Sequence, residues 1–419
     1  SDFRRDLRSK TNKPFSNDID AETRDRVMRQ ARRWSDRYRT LKKEGLSEAQ
    51  ILKTFSQPVK MRVFAYNKKG YADTTMTPDD SIRYYKSILR TAFVAMEPGT
   101  GHVKAYVGGP NYRYFKYDNV RQGKRQVGST IKPFLYTLAM QEGMTPCDKV
   151  VNLPQTFVLP DGNTWTPRST DKEEWIGKTV TLKWGLTNSS NNISAYLMKQ
   201  FGPEAMADMM RRMGIQSHID EVPALCVGPA DLSLWEMVAA YNTFPSRGVY
   251  IEPLFVTRIE DNQGNVISEF TNRKREAIGE NTAYLMVNLM EGVVQGGTAS
   301  RLRYRYKLMG EIAGKTGTTN DNADGWFIGY TPTLVAGVWT GAEDRQVHFQ
   351  SITYGQGAHM SLPTWGIFMR KVVEDGTLGV SESDRFIAPA GVSLDLNCTG
   401  GKEDASVEAQ QKTEDYYFE

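Results

Sequence analysis

The chain has 419 residues, of which 39% are hydrophobic and 24% are charged, and its formal net charge is +4. This is the composition of a globular protein with enough apolar residues for a sizeable core. The length suggests two or more domains, or one large domain with extensions. The small net charge excludes a strong electrostatic preference for nucleic acid, so we expect no nucleic-acid partner.

Cysteine and histidine usage bears on disulfide and metal chemistry. Cys147, Cys226 and Cys398 are odd in number and widely spaced, which predicts neither a disulfide framework nor a CxxC metal site. The four histidines include no pair at positions i and i+4, so we predict no metal site. The sequence contains no run of about 18 apolar residues and no signal peptide. Because it begins at Ser1 and not at Met, we expect a trimmed product.

The first 90 residues are predicted to be a linker or pedestal region. Residues 1 to about 60 are dense in Arg, Lys, Asp and Glu, and the stretch that begins at Ala21 is predicted to be one surface helix that stops at Gly45. We interpret its basic run as a solvated helix face, with a membrane-proximal or partner-facing role as the alternative.

Strand-like segments lie at both ends of a helical middle. Residues 91–109 are predicted to form a hairpin, and three strand-like runs within residues 311–342 are predicted to form an antiparallel meander. This order predicts an α+β fold in which hairpin and meander join in a central antiparallel sheet flanked by helices on both faces. We place this domain at residues 91–395 and interpret the polar, net acidic residues 396–419 as a disordered tail.

The segment KRQVGSTIKPFLYTLAM, residues 124–140, puts a serine at the start of a predicted helix. Pro133 is tolerated only in the first helical turn, so we expect the helix to begin at about Ser129 or Thr130. Residues i and i+3 share a helix face, so Ser129 and Lys132 are expected side by side. A helix N-terminus favours negative charge, and a lysine can act as the base for a serine if its pKa is lowered. The alternative is an N-cap serine followed by a surface lysine.

The Ser-x-x-Lys spacing alone is weak evidence, because the chain contains it twice. Ser169 and Lys172 repeat it within TPRSTDKEEW. Acidic neighbours, and the lack of an apolar helical stripe after it, predict that this second copy is a loop.

A second motif lies on a predicted strand near the C-terminal end. Lys315, Thr316, Gly317 and Thr318 place a lysine and two hydroxyls around a glycine, on an edge that a peptide could approach closely. Strand alternation would direct Lys315 and Gly317 to one side and the two threonines to the other.

A third motif, Ser-x-Asn, occurs in NSSNNISAY, within a break between two predicted helices. It fits in two registers, Ser189 with Asn191 and Ser190 with Asn192, and the residues leave both open. An N-cap region rich in Asn and Ser is the alternative reading.

Ser-x-x-Lys, Ser-x-Asn and Lys-Thr-Gly in this order resemble the signature of serine penicillin-binding proteins and β-lactamases. RQVGSTIKPFLY and GKTGTTNDNADGWFIGYTPTLVAGVWTG are similar to the transpeptidase domain of class A, bifunctional penicillin-binding proteins. The resemblance extends over about residues 90 to 375.

This resemblance implies roles for the motif residues. Ser129 matches the acylated nucleophile and Lys132 the base that takes its proton. The family's Asn is usually followed by Val or Ile, which selects Asn192, before Ile193, and with it Ser190. Ser190 is then expected to relay a proton to the leaving group, and Asn192 to hold the substrate amide.

The Lys-Thr-Gly motif is likewise assigned by resemblance. Lys315 is expected to add positive charge that also lowers the pKa of Lys132. Thr316 and Thr318, on either side of Gly317, match the hydroxyls that grip the substrate's terminal carboxylate. The backbone N–H groups of Ser129 and Thr318 are expected to form the oxyanion hole.

The resemblance implies D,D-transpeptidation of peptidoglycan stem peptides through an acyl-enzyme, with no metal or organic cofactor. The partners are a D-Ala-D-Ala donor and an amine acceptor, and β-lactams would acylate Ser129. A D,D-carboxypeptidase, a β-lactamase and a β-lactam sensor or scaffold are the alternatives. The Glu-x-x-x-Asn pattern of class A β-lactamases does not occur between Ser190 and Lys315.

Class A proteins also carry a glycosyltransferase domain, and this sequence lacks its Glu-Asp-x-x-Phe-x-x-His-x-Gly pattern. We therefore expect either a fragment that keeps linker and transpeptidase, or a protein without that activity. A location outside the cytoplasm, in the periplasm and anchored by a segment absent from this chain, follows from the substrate.

Overall fold

The computed structural model describes residues 2–319, 321–390 and 396–398. The α-helices are α1 (Asp2–Ser9), α2 (Ala21–Trp34), α3 (Asp36–Lys43), α4 (Glu48–Phe55), α5 (Pro78–Lys86), α6 (Lys132–Gln141), α7 (Leu182–Thr187), α8 (Asn191–Phe201), α9 (Pro203–Arg212), α10 (Leu234–Tyr241), α11 (Glu280–Gln295), α12 (Arg301–Tyr304), α13 (Ile352–Gly355), α14 (Gly357–Met360) and α15 (Leu362–Asp375). In the part of the chain described here, no helix is long and apolar enough to cross a bilayer.

Most of the strands are short. They are β1 (Val59–Phe64), β2 (Tyr71–Met76), β3 (Arg90–Met96), β4 (Val103–Val107), β5 (Lys124–Gln126), β6 (Lys149–Val151), β7 (Phe157–Val158), β8 (Thr164–Trp165), β9 (Thr179–Thr181), β10 (Asp231–Ser233), β11 (Val249–Ile251), β12 (Arg258–Glu260), β13 (Val266–Glu269), β14 (Lys274–Glu276), β15 (Ala313–Thr318), β16 (Asp324–Tyr330) and β17 (Val335–Gly341).

Five strands form the central sheet in the order β15-β16-β17-β3-β4, and each neighbouring pair is antiparallel. The hairpin β3–β4 joins the meander β15–β17 through β17 and β3, which pair from Val335 opposite Met96 to Gly341 opposite Arg90. β16 and β17 are buried along their full length. This confirms the predicted antiparallel sheet and leaves β15 at one edge.

Helices cover both faces of this sheet, as predicted. Trp365 of α15 packs beside Gly329, and Val238 of α10 packs beside Gly337. Gly329 pairs with Ala336, the neighbour of Gly337, so the two glycines face opposite sides of the sheet. One continuous apolar core joins the sheet to α6, α8 and α11. The helix that follows Ser129 is therefore held from all sides.

Residues 2–89 form a separate group of helices with a two-stranded ribbon, β1–β2. This group contacts the loop that follows β17. Lys10 Nζ donates a hydrogen bond to the carbonyl oxygen of His348 at 2.5 Å. Lys86 Nζ lies 2.5 Å from the carboxylate of Asp344. The N-terminal region is thus attached to the sheet domain by buried lysines.

The single surface helix predicted from Ala21 to Gly45 is wrong. The chain forms two helices, α2 and α3, which are separated at Ser35. The hydroxyl of Ser35 accepts a hydrogen bond from the backbone N–H of Tyr38 and so caps α3. A serine that caps a new helix competes with continuation of the preceding one.

Two of the three cysteines form a disulfide that the sequence did not predict. Cys147 and Cys398 are joined across 251 positions, while Cys226 is buried and has no disulfide. Spacing carries no information about a pair this far apart, because only the fold brings the two Cβ atoms within bonding distance.

The same bond corrects the start of the predicted disordered tail. Residues 396–398 are anchored, because Cys398 is bonded and because Lys183 Nζ donates to the carbonyl oxygen of Leu396 at 2.9 Å. The rest of that predicted tail, residues 399–419, lies outside the described residues.

Candidate active site

Ser129 lies in a 3-10 turn, Gly128–Ile131, that leads directly into α6. Pro133 occupies the first turn of α6 as predicted, but the α-helix itself begins at Lys132. The backbone N–H of Lys132 donates to the carbonyl oxygen of Ser129. Ser129 is half-buried, whereas Gly128 and Thr130 are buried. The serine is therefore more exposed than the residues on either side of it.

A close backbone approach joins this turn to the edge strand β15. A Cβ atom built on Gly128 would lie 2.5 Å from the carbonyl oxygen of Thr318, and one built on Gly317 would lie 2.6 Å from that of Val127. Non-bonded atoms do not approach this closely, and Gly128 also has a φ of +53°, so both positions require glycine. The peptide groups next to Ser129 and Thr318 therefore lie side by side.

Two lysines from different elements converge on one serine. Lys132 is fully buried, and its Nζ donates to the carbonyl oxygen of Ser189 at 2.5 Å and to Asn191 Oδ1 at 2.7 Å. The same Nζ lies 3.4 Å from Ser189 Oγ. Lys315 of β15 is also fully buried, and its Nζ lies 2.9 Å from Ser189 Oγ. The hydroxyl of Ser189 thus bridges the two amines.

These contacts favour the register Ser189 with Asn191 over the predicted register Ser190 with Asn192. Ser190 is buried; its Oγ accepts from the backbone N–H of Ile193 and donates to Asp171 Oδ2 at 2.6 Å. Asn192 is buried, and its Nδ2 donates to Asn152 Oδ1 at 2.9 Å. The hydrogen bonds of these two side chains go to Asp171, Ile193, Asn152 and Ser169, and not to the lysines.

The reason lies in where α8 begins. The helix starts at Asn191, so Asn192 and Ile193 already turn into the core, while Ser189 and Asn191 stay half-buried on the side of the lysines. Ser189 has a φ of 58°. This left-handed conformation costs a residue other than glycine about 1–2 kcal/mol, so the surrounding contacts must hold it.

The two threonines of β15 contact a different part of the fold from Lys315. Thr316 Oγ1 lies 2.7 Å from Thr298 Oγ1, and Thr318 Oγ1 accepts from the backbone N–H of Gly357 at 3.0 Å. This follows the alternation of a regular strand. Thr318 is half-buried, and its backbone lies against Gly128, the residue before Ser129.

Burial changes the ionisation of both lysines. It lowers the pKa of Lys132 to about 7, and the negative charge of Asp171 opposes that shift. Burial, and then the charge of Lys132, lower the pKa of Lys315 well below its usual value. Two ammonium groups in one dry pocket repel each other, so the pair carries fewer than two protons near neutral pH. The site therefore contains an amine that can accept a proton.

One wall of the site was missed by the sequence analysis. Residues 168–171, which overlap the second Ser-x-x-Lys copy, form a loop as predicted, but this loop packs against residues 189–192. We call residues 168–171 the strap and residues 189–192 the serine turn. The two segments lie about twenty positions apart, and no local pattern links them.

The groups collected here define a class of enzyme. The groups expected in a serine acyl-transfer enzyme are present: a half-buried serine before a buried helix, a buried amine with a lowered pKa, and a hydroxyl that bridges to a second amine. Among the described residues, no group of three or more His, Cys, Asp or Glu side chains could hold a metal ion.

Comparison with known families identifies the chain. The family model of the penicillin binding protein transpeptidase domain matches residues 91–346, and that of the penicillin-binding protein middle domain matches residues 10–89. The first match covers more than half of the chain. The chain therefore belongs to the penicillin-binding protein transpeptidase family.

Curated relatives agree with this family. The chain is 33% identical over 319 residues to penicillin-binding protein 2D of Bacillus subtilis, covering 73% of this chain and 44% of that protein. It is 27% identical over 368 residues to penicillin-binding protein 1A of Aquifex aeolicus, covering 85% of this chain and 49% of that protein. The chain thus spans about half the length of the relatives it matches.

Solved structures support the fold. Penicillin-binding protein 1A from Haemophilus influenzae superposes with a TM-score of 0.65 at 22% identity, covering 89% of this chain and 63% of that one. The penicillin-binding protein PonA1 from Mycobacterium tuberculosis superposes with a TM-score of 0.59 at 26% identity, covering 72% of this chain and 81% of that one.

Proposed function

We propose that this chain is a D,D-transpeptidase that cross-links peptidoglycan stem peptides through an acyl-enzyme on Ser129. The observation that carries the proposal is the convergence of Lys132 and Lys315 on Ser189, next to the turn that presents Ser129. Family membership supports the type of reaction and the D-Ala-D-Ala substrate.

In the first step, Ser129 Oγ attacks the carbonyl carbon of the D-Ala-D-Ala peptide bond and Lys132 Nζ accepts the hydroxyl proton. A general base works best when its pKa lies near the working pH, and the pKa of about 7 for Lys132 meets this condition. The hydroxyl of Ser189 then delivers a proton to the leaving nitrogen. The C–N bond breaks, and the terminal D-Ala leaves.

The serine turn supplies Ser189 and Asn191 to this scheme, in place of Ser190 and Asn192. Ser189 lies between both amines, so it can pass a proton from one to the other or to the substrate. Asn191 is half-buried on the same side, where its amide can hold the substrate amide once the substrate is bound.

The strand β15 supplies the contacts for the substrate's oxygen atoms. The backbone N–H groups of Ser129 and Thr318 are assigned to the oxyanion, where one donor is worth about 3 kcal/mol in the transition state. Gly317 allows the close approach of turn and strand. The hydroxyls of Thr316 and Thr318 are assigned to the terminal carboxylate of the donor.

In the second step, the amine of a neighbouring stem peptide attacks the Ser129 ester and forms the cross-link. The lysine pair accepts the proton that the attacking amine loses, and it returns a proton to Ser129 Oγ as the ester C–O bond breaks. β-Lactams imitate the donor and leave a stable ester on Ser129. None of these steps uses a metal or an organic cofactor.

We place the protein on the extracytoplasmic face of the membrane. The Cys147–Cys398 disulfide supports an oxidising compartment such as the periplasm. We further propose that residues 1–90 are a pedestal for an enzymatic domain at 91–395. The contacts of Lys10 and Lys86 with the loop after β17 support this division.

Intact-mass spectrometry with a labelled penicillin, on the wild type and Ser129→Ala, tests the nucleophile. We expect a stable one-to-one adduct that the variant does not form. Turnover of the penicillin without an adduct would indicate a β-lactamase instead. Incubation with stem peptides then separates the activities: cross-linked dimers support the transpeptidase, released D-Ala with only hydrolysed stems supports a carboxypeptidase, and an adduct without D-Ala release supports a sensor.

A further inference from the structure

The strap contacts the serine turn with each of its four residues, although it belongs to none of the three motifs. The contacts join the Arg168 carbonyl oxygen to Asn191 Nδ2 (2.9 Å), Ser169 Oγ to Asn192 Nδ2 (3.3 Å), Thr170 Oγ1 to the Ser189 carbonyl oxygen (3.3 Å) and Asp171 Oδ2 to Ser190 Oγ (2.6 Å). Residues 168–171 therefore hold residues 189–192, with one contact to each residue of the serine turn.

These contacts decide which atoms meet Lys132. The Arg168 carbonyl oxygen can only accept a hydrogen bond, so Asn191 turns its NH2 group to the strap and its oxygen to Lys132 Nζ. Thr170 donates to the Ser189 carbonyl oxygen, which also accepts from Lys132. The strap thus supports the left-handed turn through the same carbonyl oxygen that accepts from Lys132.

Asp171 makes the charged contact of this set. Ser190 Oγ donates to it and accepts from the backbone N–H of Ile193, so this buried hydroxyl links the carboxylate to the first turn of α8. We propose that Asp171 is a positioning residue for the acyl transfer, which acts through Ser190 to hold Ser189 and Asn191 against Lys132. The reaction in this inference rests on the proposed function, but the geometry does not.

The charges around Asp171 determine the sign of its effect. Asp171 faces Lys132 and Tyr136 of α6, and Lys132 also faces Lys315 and Cys226. Burial raises the pKa of the Cys226 thiol to about 12 and raises the pKa of Tyr136, so both are neutral near neutral pH. The carboxylate raises the pKa of Lys132. Removing its charge therefore lowers that pKa.

The test is the acylation rate of the full chain by a fluorescent penicillin, measured across the neutral pH range. Asp171→Asn keeps an acceptor for Ser190 but loses the charge, so we expect the acidic limb of the profile to move to lower pH. Ser190→Ala loses the hydrogen bond and keeps the charge, so the plateau should fall about tenfold with the limb unchanged. Asp171→Ala should show both effects. Glu173→Gln, an exposed charge change two residues away, should match the wild type.

Hydrogen–deuterium exchange of residues 188–194 in the same variants gives a reading independent of acylation. We expect faster exchange in Asp171→Ala and Ser190→Ala, but not in Glu173→Gln. An Asp171→Asn profile that superposes on the wild type, with plateau and exchange unchanged in Asp171→Ala, would overturn the inference. A lower Tm with an unmoved profile would also overturn it, because Asp171 would then be only structural. If the wild type takes up no penicillin, the proposed function fails. Hydrogen–deuterium exchange then tests by itself whether Asp171 holds the serine turn.

Discussion

The chain carries the tetrapeptide Ser-x-x-Lys twice, and the two copies have opposite environments. Lys132 is 0% exposed and lies among hydroxyl, amide and thiol groups, with a pKa lowered to about 7. The side chain of Lys172 is 82% exposed, and its Nζ lies 3.8 Å from Glu174 in open solvent. The spacing is identical, so burial, and not spacing, lowers the pKa of the lysine. The second copy contributes to the site around the first, because its residues Ser169 and Asp171 form part of the strap.

The largest expected effect is the loss of the buried lysine. Lys132→Ala should slow acylation by a labelled penicillin about a thousandfold, because the base that accepts the Ser129 proton is removed. Lys172→Ala is the matched control and should acylate at the wild-type rate. Equal losses in both variants would show that the buried copy has no special role.

The next effect separates the two registers of the serine turn. Ser189→Ala should slow acylation about a hundredfold, because the hydroxyl between the two amines is lost. Ser190→Ala should cost only about tenfold, because it displaces the turn without removing the relay. The same rate assay checks both, and a larger loss in Ser190→Ala would restore the register expected from the sequence.

The pH dependence of the acylation rate should follow the ionisation of Lys132, in the buried copy. Lys132 acts as a base only when it is neutral, so the acylation rate should rise with pH and level off above a pKa of about 7. Below it, the rate should fall about tenfold for each pH unit. Lys172→Ala should leave this inflection in place. A profile that stays flat down to acidic pH would contradict a lysine base.

Protein stability, and not the acylation rate, should distinguish two glycines with similar backbone angles, Gly228 (φ +83°) and Gly177 (φ +80°). A Cβ atom on Gly228 would lie 2.0 Å from the carbonyl oxygen of Gly128, next to Ser129, whereas one on Gly177 would meet nothing within 4 Å. Gly228→Ala should destabilise the protein by about 3 kcal/mol or more. Gly177→Ala should cost about 1 kcal/mol of backbone strain. Urea unfolding measures both, and equal losses would mean that the contact with Gly128 is not tight.

Much of the fold could be predicted because its elements are local. The meander β15–β17 is signalled by three strand-like runs with short connections, and the position of Pro133 limited where α6 could begin. The break of the N-terminal helix at Ser35 could not be predicted with confidence, because a serine is tolerated inside a helix unless tertiary contacts favour its use as a cap.

The sequence by itself determined the order of the three motifs, the serine at a helix start with a lysine one turn later, and the antiparallel sheet that carries Lys315. These follow from spacing and periodicity, which are properties of neighbouring residues. The tertiary structure alone decided that Ser189 and not Ser190 lies next to the lysines, and that Cys147 pairs with Cys398. It also decided that the strap packs against the serine turn. Each of these outcomes depends on which distant groups are brought together and buried when the chain packs. A local sequence pattern carries no information about such contacts.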